Sequence, residues 1–257
     1  TCALFILVTF YYWQETYFST GILQRIQLYA AASNPVHASL MILTGWLGFW
    51  ITYGLPRLVK IGSFAYLSGF ILMQSVAVFT CLAFQSRSGL LGLSAVTAAW
   101  LIIGKNRKLT LLLTLSLVFI FFAGGYHEAL LARGSSYRFE IWRDVLWHLN
   151  DNGSWLTGTK QEGGILYLGK FHHPHSAYLS ILAQTGLMGV ISFSLFTCVY
   201  FFQGIKKRSP WFIVSLLGWA ALLTSSNGIM TSPRPLWIYF WLPTLLAILS
   251  YHTRSED

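Results

Sequence analysis

The sequence predicts an all-α polytopic membrane protein, and three observations lead to this fold class. Of the 257 residues, 55% are hydrophobic and only 10% are charged, with a mean hydropathy of +0.57. Average soluble proteins have about 25% charged residues, so the composition excludes a soluble globule. The apolar residues also fall into runs that approach the roughly 20 residues needed to cross a bilayer. Finally, the aromatic share of 17% fits a protein with many membrane–water interfaces, where Trp and Tyr collect.

Eight apolar runs are predicted as helices that enter or cross the bilayer. They are residues 1–13, 36–53, 62–84, 88–104, 109–125, 176–203, 211–226 and 236–251. The chain opens on Thr1 without an initiator Met or a signal peptide, and its first apolar run begins immediately. We therefore expect a fragment of a longer protein that lacks N-terminal helices.

Three short connectors, residues 54–60, 104–108 and 204–210, hold a dense set of Lys and Arg residues. All three fall on one side of the predicted bundle, and short loops rich in basic residues face the cytoplasm. The outer side then receives residues 14–35, the turn at 85–88, the long stretch 126–175 and residues 227–235.

The stretch 126–175 is the only sizeable segment predicted outside the bilayer. It is too short to bury an independent core, so we treat residues 1–257 as a single transmembrane domain that carries this loop. Residues 137–149 are predicted as an amphipathic helix, and residues 151–170 as a glycine-rich loop. The expected apolar positions of the helix are Phe139, Ile141, Trp142, Val145, Leu146 and Leu149.

Several function classes are disfavoured by what the sequence contains. The net charge is +9, but the basic residues are scattered between apolar runs, so nucleic acid is not an expected partner. The three cysteines lie in apolar stretches without metal-type spacing. No P-loop, Rossmann fingerprint, HExxH or GxSxG motif is present. No Asp-x-Asp pair is present to hold a metal-bound diphosphate, so arginines would have to neutralise such a substrate.

Arg87 is the first candidate for binding an anionic substrate. It lies in Ser86-Arg87-Ser88-Gly89, between two spans that are joined by almost no loop. Its guanidinium offers a planar fork of donors that suits phosphate or carboxylate. The alternative is an arginine that extends to the lipid headgroups.

Arg138 is the second candidate, because it opens the predicted amphipathic helix, with Arg143 five residues further on. The alternative is a solvated helix face on which Glu140 and Asp144 balance the arginines. Charge patterning alone leaves both interpretations open.

The densest group of candidate residues lies at 171–176, where the outer loop enters a membrane helix. Pro174 is predicted as the helix-entry residue, with His175 or Ser176 near the first turn. A histidine here can act as general base on a hydroxyl near neutral pH. The alternatives are a metal site made by His172, His173 and His175, and a structural cap at the start of the helix. No outer-side Cys or acidic partner joins the histidines, so neither a metal nor another cofactor is expected.

Four motifs together resemble the O-antigen ligase and polymerase superfamily of bacterial inner-membrane glycosyltransferases, over most of the chain. The four motifs are Ser86-Arg87-Ser88-Gly89, Arg138 with Trp142, His173-Pro174-His175-Ser176-Ala177-Tyr178-Leu179 and Gly186-Leu187-Met188-Gly189. Their order and their common side of the membrane make the resemblance specific. Arg25, ahead of Asn34-Pro35, resembles a weaker feature of the family.

The resemblance implies a GT-C-type transmembrane bundle with one long periplasmic loop. It also implies inverting, metal-independent transfer from an undecaprenyl-diphosphate-linked glycan at the periplasmic face. Arg87 and Arg138 would bind the diphosphate, and His175 would activate the acceptor hydroxyl. Ser176 departs from the family, where Asn commonly follows this histidine, but Ser keeps the capacity to donate and accept a hydrogen bond. Supporting roles would fall to Arg25, His173, Ser176 and Arg143.

Within the superfamily, the ligase is the favoured function: it moves O-antigen to a hydroxyl of the lipid A core oligosaccharide. An O-antigen polymerase or a protein O-oligosaccharyltransferase is the alternative. A transporter of anions or lipids is an alternative from another class, since boundary arginines also bind transported anions. The long outer loop with clustered His and Arg favours the enzyme. The expected location is the bacterial inner membrane, with a periplasmic site.

Overall fold

The computed structural model describes residues 2–20, 25–28, 33–103, 111, 114–115, 118, 137–159, 166–225, 228–229 and 234–253. These residues are helical apart from turns and one isolated bridge between Tyr167 and Phe171, which confirms the all-α prediction. The helices are α1 (Cys2–Thr20), α2 (Pro35–Phe49), α3 (Leu55–Ile61), α4 (Ser63–Ala83), α5 (Arg87–Ile103), α6 (Arg138–Asp151), α7 (Ala177–Lys207), α8 (Pro210–Ala221) and α9 (Leu242–Thr253), with π-helical turns at Trp50–Gly54 and Trp237–Trp241.

Among the described residues, three helical segments are long and apolar enough to cross a membrane, namely Pro35–Ile61, α4 and α7. The helices α5, α8 and Trp237–Tyr251 are apolar but shorter. Together they match six predicted spans, and α1 covers residues 2–13 of the first predicted run and continues to Thr20. The predicted span 109–125 and the connector 104–108 lie outside the described residues, except for positions 111, 114–115 and 118.

The prediction of a loop connector at residues 54–60 is wrong. The π-helical turn continues directly into α3, and the helix ends only at Gly62, where φ is 151°. The predicted connector 204–210 is also shorter than expected, because α7 continues to Lys207 and α8 starts at Pro210. Both corrections move the ends of helices and leave their order unchanged.

A proline explains why the helix passes through a π-helical turn before α3. Pro56 has no N–H, and in a regular helix its ring would clash with the carbonyl four residues earlier. The N–H of Leu55 instead donates to the Trp50 carbonyl, five residues back, which widens the helix just before the proline. Leu242, which precedes Pro243, makes the equivalent bond to the Trp237 carbonyl. A Leu-Pro pair therefore follows each π-helical turn.

The core lies where α8 packs between α5, α2 and the π-helical turn at Trp237–Trp241. Gly92 of α5 permits the closest approach, since a Cβ there would lie 2.6 Å from the Leu217 carbonyl oxygen. This glycine therefore lets the two helices approach closely. Fully buried core side chains include Leu40, Leu43, Leu47, Phe70, Met73, Val214, Leu217, Tyr239 and Phe240.

Helix α7 is broken at Gly186, whose φ of 63° and ψ of −160° are not helical. The two halves, residues 177–185 and 187–207, fold toward each other at this point. The ring of Tyr178 in the first half lies 6.1 Å from the ring of Phe193 in the second. The second half alone is about 30 Å long, which is enough to cross the hydrocarbon core.

The backbone that follows α6 fills the break in α7. The N–H of Leu187 donates to the Trp155 carbonyl at 2.8 Å, and the N–H of Thr159 donates to the Ala183 carbonyl at 2.7 Å. In an unbroken helix Leu187 and Ala183 would bond to each other. The loop thus replaces the helical hydrogen bond between Leu187 and Ala183 by one hydrogen bond to each of these two residues.

We predict that Gly186→Ala destabilises the protein more than Gly153→Ala. The conformation of Gly186 is essentially confined to glycine and costs about 1–3 kcal/mol for other residues. A Cβ there would also overlap the Leu156 backbone. Gly153 has a φ of 58° and open space around its Cβ position, so the control variant bears only the left-handed cost of about 1–2 kcal/mol. Thermal unfolding in detergent measures both, and equal losses of Tm would contradict the docked loop.

Candidate functional site

Helix α6 is the amphipathic helix that the sequence predicts, and one face of it is buried. Ile141, Val145 and Leu149 recur every four residues and are at most 1% exposed. The prediction is wrong for two residues of the apolar face, because Phe139 is 69% exposed and Leu146 is 41% exposed. Both lie off the four-residue stripe, so the helix turns them away from the contact.

A tight hairpin after the glycine-rich loop packs on the buried face of α6. Tyr167 and Phe171 exchange backbone hydrogen bonds of 2.8 and 2.9 Å. The Asp144 carboxylate accepts the N–H of Leu168 at 2.8 Å, which ties the hairpin to α6. The ring of Phe171 then lies 5.9 Å from the ring of His175. The hairpin therefore connects α6 to the candidate base.

The indole of Trp142 holds the histidine loop, residues 172–176, against α6. The Nε1–H of Trp142 donates to the Pro174 carbonyl at 3.0 Å. Within the loop, the rings of His173 and His175 meet edge to face, with centroids 4.1 Å apart. His175 has a φ of 52°, so its backbone is in the left-handed region that few non-glycine residues adopt. Such strain at a candidate catalytic position favours a functional interpretation.

The electrostatic environment keeps His175 uncharged. Burial, followed by the neighbouring His173 and Arg138, lowers the pKa of His175 to about 4. Burial and His172 lower the pKa of His173 as well. At neutral pH the imidazole of His175 is therefore neutral and has a lone pair that can accept a proton. Arg138 lies close enough to affect that charge, as a shared site requires.

Ser176 serves as the N-cap of α7. Its hydroxyl accepts the N–H of Leu179 at 3.4 Å, and the side chain is 4% exposed. Pro174 is not the helix-entry residue that the sequence predicts, since α7 begins at Ala177. A cap and a candidate base therefore coexist in the loop, because His175 lies outside the helix and Ser176 caps its start.

Arg87 is the first residue of α5 and lies next to the segment that carries Arg25. The Nε–H of Arg25 donates to the Phe84 carbonyl at 3.0 Å. The hydroxyl of Ser86 accepts the N–H of Gly89 at 3.1 Å and so caps the start of α5. The structure thus places Arg25 at the turn that precedes Arg87, where one of its donors binds backbone.

The end of α8 connects the Arg87 turn to the histidine loop. The hydroxyls of Ser88 and Thr224 lie 2.9 Å apart. Two residues earlier, the Leu222 carbonyl accepts the N–H of Ala177 at 3.0 Å. The start of α5 and the start of α7 therefore flank the same three residues, so the two predicted halves of the site lie at one end of the bundle.

Arg143 is the predicted supporting residue that the structure turns away from this site. It is exposed on α6, five residues beyond Arg138. Five helical positions correspond to a rotation of about 140°, so the two arginines lie on different faces. After burial, the residues that lower the pKa of His175 are His173 and Arg138.

A polar cluster that the sequence analysis missed lies on the first turn of α2. The Nδ1 of His37 and the hydroxyl of Tyr239 are 3.0 Å apart, and their rings stack at 5.7 Å. Arg234 also interacts electrostatically with His37. The two ring partners are 202 positions apart in the chain, so no local sequence pattern reveals their contact.

Metal ligation was the alternative for the three histidines. Within the part of the chain that the structure describes, no group of three or more His, Cys, Asp or Glu residues is placed to hold a metal ion. The geometry of the histidine loop therefore lends no support to that alternative, and metal-independent chemistry stays a prediction.

We predict that Arg138→Gln raises the pKa of His175, because it removes a positive charge that disfavours the imidazolium. Arg143→Gln is the matched control on the same helix and should leave that pKa unchanged. Nuclear magnetic resonance of the protein with labelled histidine in detergent gives both titrations. Equal shifts in the two variants would contradict the placement of Arg138 beside the histidine loop.

Comparison with known proteins gives one informative similarity. The chain is 27% identical over 242 residues to a protein of Pseudomonas aeruginosa named O-antigen ligase, across 86% of this chain and 56% of that protein. The chain thus spans about half the length of this curated relative. No protein-family model matches the chain, and no solved structure matches it. The chain is therefore related to an O-antigen ligase, as its motifs predict.

Proposed function

We propose that the protein is an inner-membrane glycosyltransferase that moves an O-antigen glycan from undecaprenyl diphosphate to a hydroxyl of the lipid A core oligosaccharide. The observation that carries this proposal is a neutral, half-buried His175 beside Arg138, at the bundle end where Arg87 opens α5. The similarity to an O-antigen ligase supports the same reaction class. The site would face the periplasm, and the donor, the acceptor and membrane lipids would be its partners.

In the proposed reaction, His175 takes the proton of the acceptor hydroxyl as its oxygen attacks the anomeric carbon of the donor. The bond from that carbon to the diphosphate oxygen breaks, and the lipid diphosphate leaves with the bonding electrons. Attack from the face opposite the leaving group inverts the anomeric configuration. Arg87 and Arg138 would offset the charge that develops on the diphosphate, without a metal ion.

A bound donor would make His175 a stronger base. An imidazole with a pKa of about 4 is a weak base, although it is fully deprotonated at neutral pH. A bound diphosphate would place negative charge nearby and pair with Arg138, and both effects raise the pKa of the histidine.

The experiment that tests the proposed function is the surface polysaccharide profile of a strain that lacks the protein. A ligase predicts loss of capped lipopolysaccharide with accumulation of lipid-linked polymer. Caps of a single repeat unit would instead indicate a polymerase, and an unchanged profile would contradict both activities.

We predict that His175→Ala lowers the rate of glycan transfer by about 10² to 10⁴-fold, the usual contribution of a positioned general base. Donor binding should persist, because the arginines that bind the diphosphate remain. His172→Ala is the matched control, since His172 is exposed in the same loop. Transfer and donor affinity are measured separately for each purified variant. Equal losses in both variants, together with lost donor binding, would indicate a structural role for the loop.

We predict that Arg87→Lys loses most of the transfer activity although it keeps the positive charge. A planar guanidinium binds a diphosphate through two parallel hydrogen bonds, which an ammonium group does not reproduce. Arg143→Lys, at an exposed position away from the histidine loop, should stay close to wild type. Near-normal transfer by Arg87→Lys at normal protein levels would return Arg87 to the role of a lipid-headgroup contact.

A further inference from the structure

A group of aromatic rings lies beside His175, where α6 begins and the hairpin ends. The rings of Tyr137 and Phe171 are 6.1 Å apart, and the ring of Phe171 is 5.9 Å from that of His175. The ammonium group of Lys170 lies 5.1 Å from the centre of the Tyr137 ring and 5.7 Å from that of the Phe171 ring. Tyr137, Lys170 and Phe171 together form a surface that we call the aromatic patch.

A helix end and a hairpin hold the aromatic patch in place. Tyr137 directly precedes α6, and its φ of 59° turns the chain into that helix. Lys170 and Phe171 close the hairpin, in which the N–H of Lys170 donates to the Tyr167 carbonyl at 3.2 Å. Asp144 ties this hairpin to α6. Because the fold already orders this backbone, binding to the patch requires little further ordering.

The aromatic patch is open to solvent although two of its members are aromatic. Tyr137 is 56% exposed, Lys170 is exposed and Phe171 is half-buried. Among the described residues, no carboxylate forms an ion pair with Lys170. An exposed aromatic ring offers a rigid, flat apolar face, and the neighbouring ammonium group offers positive charge and hydrogen-bond donors.

A sugar ring has the properties that such a surface recognises. One face of a pyranose presents C–H groups that pack on an aromatic ring, and its edge carries hydroxyl groups that accept hydrogen bonds. A carboxylate or a phosphate on the sugar would also pair with Lys170. The aromatic patch therefore suits a sugar that carries an anionic group better than a neutral sugar.

The position of the aromatic patch beside the candidate base indicates which substrate it contacts. In the proposed reaction His175 contacts the acceptor hydroxyl, whereas Arg87 binds the diphosphate of the donor. Phe171 approaches His175 from the hairpin, while Arg87 is connected to the histidine loop through the end of α8. An inverting attack places the acceptor and the leaving diphosphate on opposite sides of the reacting carbon. Groups that approach the base from the hairpin therefore contact the acceptor.

We propose that Tyr137 and Lys170 bind an anionic sugar of the acceptor, close to the sugar whose hydroxyl is presented to His175. The inference rests on the proposed function, since it requires a glycan acceptor. Phe171 links the ring of Tyr137 to that of His175, so the bound sugar is a near neighbour of the reacting one. The enzyme thereby selects acceptors by the charge on this neighbouring sugar.

The first test measures glycan transfer to the lipid A core oligosaccharide by Tyr137→Asn and by the control Trp147→Asn. Asn tolerates the left-handed backbone at position 137 and is a good N-cap, so this variant should fold. Trp147 lies on the same helix and is also 56% exposed. Tyr137→Asn should raise the KM for the acceptor about tenfold, the value of one aromatic contact, and leave the KM for the donor unchanged. Trp147→Asn should match wild type, and Tyr137→Phe, which keeps the ring, should retain most of the affinity for the acceptor.

The second test does not depend on transfer. Ligand-observed nuclear magnetic resonance measures the binding of glucose, glucuronate and glucose 6-phosphate to the purified protein in detergent. Both acids should bind about threefold more tightly than glucose, as expected for an exposed ion pair, and the tighter acid identifies the anionic group. Lys170→Gln should remove this preference, whereas Lys206→Gln, the control at the far end of α7, should keep it. Tyr137→Asn should weaken the binding of all three sugars.

Three results would overturn the inference. A higher KM for the donor and not for the acceptor in Tyr137→Asn would assign the aromatic patch to the donor glycan. Equal binding of glucose and both acids, or binding that Tyr137→Asn leaves unchanged, would mean that the patch does not select an anionic sugar. An effect of Tyr137→Asn that appears in phosphatidylglycerol vesicles and vanishes in detergent would assign the patch to the membrane surface, where Tyr and Lys also collect. If the wild-type protein transfers no glycan but binds both acids as expected, the proposed function fails and the anionic-sugar site remains.

Discussion

The exchange of backbone hydrogen bonds at the break in α7 is the interaction on which the end of the bundle that carries the histidine loop depends. A backbone N–H or carbonyl left without a partner near the bilayer costs several kcal/mol, so a broken membrane helix needs partners from elsewhere in the protein. Residues 155–159 supply them: Trp155 accepts from Leu187, and Thr159 donates to Ala183. Gly186 makes the break possible, and the docked loop satisfies the groups that it frees.

This docking positions the described residues between α6 and the candidate base, which are 152–159 and 166–174. The chain leaves α6, enters the break in α7 and then forms the hairpin that Asp144 ties back to α6. It next makes the histidine loop, which Trp142 holds through the Pro174 carbonyl, and finally starts α7. The described residues of this segment are thus attached to α7 both at its start and at its break. A segment this short cannot bury a core of its own, so its contacts with α7 hold it in place.

The sequence predicts the helices well, because apolar runs and bilayer thickness together limit where they can lie. It does not predict where they are distorted. The turn before Pro56 and the break at Gly186 depend on which backbone group accepts each hydrogen bond, and hydropathy carries no information about that. The predicted loop at 54–60 is an example. The charged residues Arg57 and Lys60 suggest that the membrane helix ends before them, but both belong to α3.

Some residues of the candidate site are recognisable from local sequence motifs, and others only from contacts between distant parts of the chain. The arginine at position 138 and the histidine at 175 are recognisable from local motifs, and the structure brings the two side chains close together. Arg143 belongs to the same motif, but the helical rotation turns it away. The pairing of His37 with Tyr239 joins residues at opposite ends of the chain, so only the fold reveals it.

The two chemical halves of the candidate site have opposite requirements, and the fold meets them with different elements. The proposed base needs a limited proton affinity, and burial together with His173 and Arg138 limits it by lowering the pKa of His175. The proposed diphosphate needs a cation at the membrane boundary, and Arg87 would supply it from the first position of α5. The end of α8 bonds to both elements, through Thr224 and Leu222. A shift of α8 would therefore change the distance between His175 and Arg87, so the proposed chemistry depends on the packing of α8.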